Sequence, residues 1–158
     1  MKYSRFCFLV ITVLMVGLAW AAEPTFTKPT STDKCPVCGM FVAKYPDFVA
    51  GIIFKDGSYA VFDGVKDMLK YFLDMSKYER SRTHSDVKSA YVTNYYSMDI
   101  IDAYEAFYVI GSDVHGPMGN EFIPFDKESQ AQEFMRDHKG KAIVRFKEIT
   151  TAMIQKMD

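Results

Sequence analysis

Short apolar runs and amphipathic stripes alternate along residues 48–149, and they do so twice in the same order. In the first pass, residues 48–54 (Phe-Val-Ala-Gly-Ile-Ile-Phe) read as a strand. Lys55-Asp56-Gly57-Ser58 contains Asp-Gly, a strong hairpin turn signal, and Tyr59-Ala60-Val61-Phe62 is the returning strand. Asp63 is a candidate N-cap, because its carboxylate can accept from the free amides of a first helical turn. Val65, Met68, Leu69 and Phe72 then follow at i, i+3, i+4 and i+7, one apolar stripe of a helix. Residues 89–96 supply a third strand.

The second pass repeats that order. Ala106-Phe107-Tyr108-Val109-Ile110 reads as a strand, the longer connection from Gly111 to Gly119 replaces the tight turn, and residues 120–125 return. Asp126 is the next candidate N-cap. Ala131, Phe134, Met135 and His138 restate the stripe, and Gly140 is expected to end that helix. Ala142-Ile143-Val144-Arg145-Phe146 closes the pass. The pattern predicts an α+β fold of two repeated ββαβ units, although hairpin–helix–strand order is common enough for the likeness to arise by chance. Residues 75–89 are polar and read as the mobile loop of the first unit. Residues 150–158 read as a short terminal helix or a frayed tail.

The N-terminus stands outside this pattern. Lys2 and Arg5 precede an apolar run from Phe6 to Trp20, and Ala19-Trp20-Ala21 is a small-x-small cleavage site. Residues 1–21 thus read as a secretory signal peptide, which sets the expected location as periplasmic, with an uncleaved tether as the lesser alternative and no stable membrane insertion. Residues 22–34, rich in Thr, Pro, Lys and Ser, read as a linker. The first unit is placed at 35–98 and the second at 99–158. Cys7 lies near the start of the apolar run, where it cannot serve as a lipid-accepting cysteine. Losing the leader's two basic residues takes the net charge from −1 to about −3. With no Lys/Arg run, nucleic acid is not an expected partner.

Processing leaves two cysteines, in Cys35-Pro36-Val37-Cys38-Gly39-Met40. The loop they would close is too small to staple a domain, so the pair points to chemistry. A thioredoxin-type pair sits at a helix start after a strand, a context missing here. A Cys₂His₂ zinc site could draw on His84, His115 and His138, but no His-x₃₋₅-His pair accompanies the cysteines. Cu(I) favours thiolate and thioether sulfur in sets of two or three. Gly39 leaves the backbone free to turn Cys38 and Met40 toward one ion. Met118, in Gly116-Pro117-Met118-Gly119, also lies in a connection and outside any helical stripe, unlike the core-type Met68, Met75 and Met135. No Ser-His-Asp set, paired acids or phosphate loop indicates an enzyme.

Cys38-Gly39-Met40, residues 106–112 (Ala-Phe-Tyr-Val-Ile-Gly-Ser), Gly116-Pro117-Met118-Gly119 and Ile123-Pro124-Phe125 together resemble the NosL family over residues 33–149. The resemblance implies a copper chaperone associated with nitrous-oxide reductase assembly, on a fold related to organomercurial lyase. It implies Cu(I) ligation by Cys38 and Met40, with Met118 as a third ligand and His115 beside it. The partners it implies are a copper donor and a recipient cuproenzyme. Cys35 departs from the family pattern. It is either a further ligand or a disulfide partner that would block Cys38 in an oxidising compartment. The alternative function is a thiol-disulfide reductant using Cys35 and Cys38; a structural zinc module is a third.

Overall fold

The computed structural model describes residues 26–158. Its first sheet is built on β1 (Ala50–Phe54), which is buried along its whole length. β2 (Tyr59–Phe62) pairs antiparallel on one side, from Ala50↔Phe62 to Ile53↔Tyr59. β3 (Val87–Thr93) pairs on the other side, with Gly51↔Tyr91 in register. The turn at 55–58 forms as its Asp-Gly signal predicts: Phe54 donates to the Ser58 carbonyl at 2.9 Å. Between β2 and β3 lie α1 (Val65–Leu73) and the single turn α2 (Met75–Tyr78). Val65, Met68 and Leu69 are buried as the stripe requires, and α1 packs on β1 and β2.

The second sheet has the order β8-β5-β9, where β5 is Phe107–Ile110, β8 Ile123–Phe125 and β9 Ala142–Arg145. As in the first sheet, the earliest strand is central, its hairpin partner lies on one side and the strand after the helix on the other. α3 (Glu128–Asp137) covers one face, burying Ala131 and Phe134 against Val109, Ile123 and Phe125. Tyr108 points to the opposite face and joins the larger core around β1, β3 and α1. This in-and-out alternation along β5 is the period-2 geometry of a strand covered on both faces.

Several local expectations change. The third strand ends at Thr93, and Asn94 instead accepts from the backbone of Tyr96 and donates to the Asp126 carboxylate at 2.8 Å. A strand missed by pattern, β4 (Ile100–Asp102), pairs with β3 and extends the first sheet beyond residue 98. The polar stretch 75–89 is anchored, contrary to its reading as a mobile loop. Arg82 pairs with Asp56 and Glu79 and lies 3.9 Å over the Phe54 ring, and His84 Nε2 donates to the Phe72 carbonyl at 2.6 Å. α3 ends at a left-handed Lys139 rather than at Gly140, whose amide donates back to the Met135 carbonyl at 2.8 Å. A terminal helix, α4 (Thr151–Gln155), packs on α1. Residues 26–34 lie along the first sheet: the Phe26 ring meets Tyr91 edge-on at 5.3 Å, and Tyr91 donates to the Thr27 carbonyl. Among the described residues, no helix is long and apolar enough to cross a membrane. The signal-peptide reading lies outside them.

Candidate metal centre

Cys35-Pro36-Val37-Cys38-Gly39-Met40 folds as a closed knuckle. The Cys35 amide donates to the Met40 carbonyl at 2.9 Å, the Gly39 amide donates to the Cys35 carbonyl at 2.9 Å, and a Lys34↔Phe41 bridge closes the neck. Gly39 holds φ +78, the left-handed conformation that lets so short a loop reverse. The loop presents both sulfurs to the start of α1. Cys38 Sγ donates to Asp63 Oδ1 at 3.2 Å, and Cys35 Sγ donates to Asp67 Oδ2 at 3.4 Å. One ligand atom from each of the four residues lies within 4.8 Å of the others, the sole such group of three or more among the described residues.

Asp67 lies in the first turn of α1 and Asp63 just before its Gly64 N-cap, so both carboxylates stand at the helix N-terminus, where the helix dipole favours negative charge. They are 0% and 2% exposed, yet Asp63 Oδ2 and Asp67 Oδ1 have no hydrogen-bond partner. The Lys70 ammonium forms an ion pair with the latter at 3.8 Å, too long for a hydrogen bond. Buried carboxylate oxygens left bare are costly. A cation between the two acids and the two sulfurs would satisfy both oxygens. Cys35, 1% exposed, has its thiol pushed well up by burial, and burial raises that of Cys38 to about 11. Both are free thiols.

Asp63 does not cap the helix as expected. The N-cap is Gly64, and the cap comes from across the fold: Glu121 Oε1 accepts from the Lys66 amide at 2.6 Å. Met118 lies at the tip of a two-rung hairpin, β6 (His115–Gly116) and β7 (Gly119–Asn120). The residue is 42% exposed, and its carbonyl accepts from Lys66 Nζ at 2.8 Å. The hairpin is thereby tied to the helical turn that carries Asp63 and Asp67. Met40 is half-buried in the knuckle beside Cys38. His115 is exposed on β6. Neither His84, on Phe72, nor His138, stacked on Phe134 and 3.2 Å from Asp113, belongs to the four-residue group. Sequence reasoning missed Asp63, Asp67, Lys66 and Glu121 as site residues. The i, i+4 spacing of the two aspartates was the available signal.

A family model for NosL matches residues 26–154. The chain belongs to the NosL family. The copper-binding lipoprotein NosL of Stutzerimonas stutzeri is 28% identical over 126 residues, 78% of this chain; the chain spans 65% of that relative's length. The crystal structure of the copper chaperone NosL from Shewanella denitrificans superposes with a TM-score of 0.68 at 27% identity, covering 82% of this chain and 98% of that one. The α+β architecture is thus shared with that NosL structure. The solution structure of apo-NosL from Achromobacter cycloclastes aligns with a TM-score of 0.47 at 25% identity, over 66% of this chain and 87% of that one.

Burial pushes the Glu121 carboxyl up to about 8, with the Phe122 and Lys66 amides and the Lys66 ammonium opposing and the Asp67 carboxylate adding to the rise. A carboxyl raised in the fold binds its proton more tightly there than in the unfolded chain. Its contribution to stability is therefore fully present below the usual glutamate range and is lost as pH climbs toward about 8. Urea titrations between pH 5 and 8 are expected to show this fall, with a shallower slope in Glu121→Gln. Equal slopes in the two proteins would contradict the assignment.

Proposed function

We propose that this chain is a periplasmic Cu(I) carrier, not an enzyme, that hands its ion to a recipient cuproenzyme, with nitrous-oxide reductase as the recipient favoured by family membership. The observation that carries this reading is the convergence of two thiols on the start of α1, where two buried carboxylates each leave one oxygen without a hydrogen bond. Cys38 is the thiolate that loads first, being half-exposed where Cys35 is enclosed. Met40 and Met118 add neutral thioethers, and His115 stands near Met118 on the hairpin. One thiolate neutralises a cuprous ion, and thioethers hold it less tightly than further thiolates would, which suits release. Asp63 and Asp67 supply the negative potential that draws the cation in. Transfer then proceeds by ligand exchange with a partner protein that docks over the exposed Met118 side.

Anaerobic Cu(I) titration against a chromophoric competitor tests the reading; a protein that ignores cuprous ion would end it. Met40→Ala combined with Met118→Ala is expected to weaken binding by about tenfold per thioether lost. The same pair leaves the dithiol intact, so unchanged Cu(I) affinity together with thiol-disulfide exchange activity would favour the reductant reading instead. A second reading has its own observation, because two thiols and two carboxylates within 4.8 Å also match the four-coordinate preference of Zn(II). Native mass spectrometry with Cu(I) and Zn(II) offered together separates the two. A Cys35–Cys38 disulfide would gate loading. Thiol counting under oxidising conditions tests that, and two thiols retained throughout would remove the gate.

A further inference from the structure

The hairpin that carries Met118 cannot hold its own position. It has two rungs, His115↔Asn120 and Gly116↔Gly119, and a two-stranded ribbon of even greater length is marginal in water. Its placement must come from tethers to the rest of the molecule. Lys66 is one. It is 2% exposed, and its ammonium donates to the Met118 carbonyl at 2.8 Å and to the Met157 carbonyl at 3.3 Å, with Asp158 at 3.3 Å. Glu121 is the other. It directly follows β7, and its Oε1 accepts from the Lys66 and Phe122 amides at 2.6 and 2.9 Å.

Two glycines make room for that carboxyl. A Cβ on Gly64, the N-cap of α1, would stand 2.2 Å from Glu121 Oε2, and one on Gly116, in β6, 3.0 Å from the same oxygen. Glu121 is thus wedged between the start of the thiol-facing helix and the hairpin, while Lys66 reaches back from that helix to the hairpin tip. We propose that Lys66 and Glu121 are positioning residues that clamp the Met118 hairpin onto α1 and so hold the Met118 thioether within reach of the Cys38 thiolate. The clamp rests on the Cu(I)-carrier reading above. It adds that the third sulfur is delivered by two separate buried tethers, the Lys66 ammonium and the Glu121 carboxyl, rather than by the hairpin's own folding. A ligand set assembled from two distant segments needs its supporting contacts fixed to a fraction of an ångström.

The test uses the whole chain loaded anaerobically with Cu(I). X-ray absorption at the copper edge counts sulfur neighbours, and competitor titration gives affinity. Lys66→Met is expected to lose one Cu–S neighbour and to weaken binding by about tenfold, matching Met118→Ala. Lys66→Arg, which keeps a donor at the same place, is expected to restore both. Arg145→Met removes the 3.4 Å contact to Glu105 without touching the hairpin or the four-residue group and is expected to leave the copper site unchanged. Should Lys66→Met fail to fold by circular dichroism, the same substitution combined with Glu121→Gln removes the buried carboxyl as well, and the same sulfur loss is expected there. A wild-type protein that binds no Cu(I) defeats the carrier reading itself. A wild type with a Met118-dependent sulfur that survives in Lys66→Met, or a sulfur count that Met118→Ala does not alter, overturns the clamp while leaving the carrier standing.

Discussion

Cys38→Ser is expected to lower Cu(I) affinity by about 100-fold or more, roughly 2.8 kcal/mol, with little change in thermal stability. The sulfur is the soft anionic donor of the proposed set, and a serine hydroxyl neither ionises in this range nor binds a cuprous ion well. The fold should tolerate the exchange. Cys38 is half-exposed, and its hydrogen bond to Asp63 Oδ1 at 3.2 Å can be remade by a hydroxyl. Cys35→Ser separates the two thiols. Cys35 is enclosed in the core and paired to Asp67, so its replacement should cost more stability than affinity. Competitor titration beside thermal melts reads both quantities. Equal affinity losses in the two variants would make Cys35 a ligand of the same standing as Cys38.

Phe62→Ala carries the largest expected effect on the fold. The ring is fully buried at the end of β2, opposite Ala50 in the ladder, and meets Tyr71 of α1 edge-on at 5.3 Å. Removing it leaves a cavity beneath the strand-to-helix junction, at a cost of about 3–5 kcal/mol. For a chain of this size that lowers the melting temperature by roughly 10 °C. Because Asp63 follows directly, the loss should reach the metal centre, and Cu(I) binding should weaken along with stability. Phe62→Leu, which refills most of the volume, should recover most of both. A melting temperature within about 2 °C of wild type in Phe62→Ala would mean that the junction is held by something other than this ring.

The elements that were legible in sequence are those in which a local period was left undisturbed. The Asp56-Gly57 turn, the Val65-Met68-Leu69 stripe and the Phe107–Ile110 strand each write their geometry into a few adjacent residues. β4 was not legible, because a run of three residues acquires a strand identity only by pairing with β3. The capping roles of Asp63 and Asp126 failed for a related reason. A carboxylate before a helix accepts from whichever donor the fold brings nearest; for Asp63 that donor is a thiol, and for Asp126 it is the Asn94 amide.

For the site, residues 35–40 announced soft-metal chemistry through composition alone, since few other residue choices put a thiol and a thioether around a glycine. The sequence by itself determined the α+β class and the family, and it named the sulfur donors that the proposed carrier uses, all of which are properties of short stretches. Only the tertiary structure decided that Asp63 and Asp67 face the thiols, and that Lys66 and Glu121 tie the Met118 hairpin to α1. Those pairings join residues 25 to 55 positions apart. Their energies depend on burial and on bare carboxylate oxygens, and neither exists until the chain has closed around them.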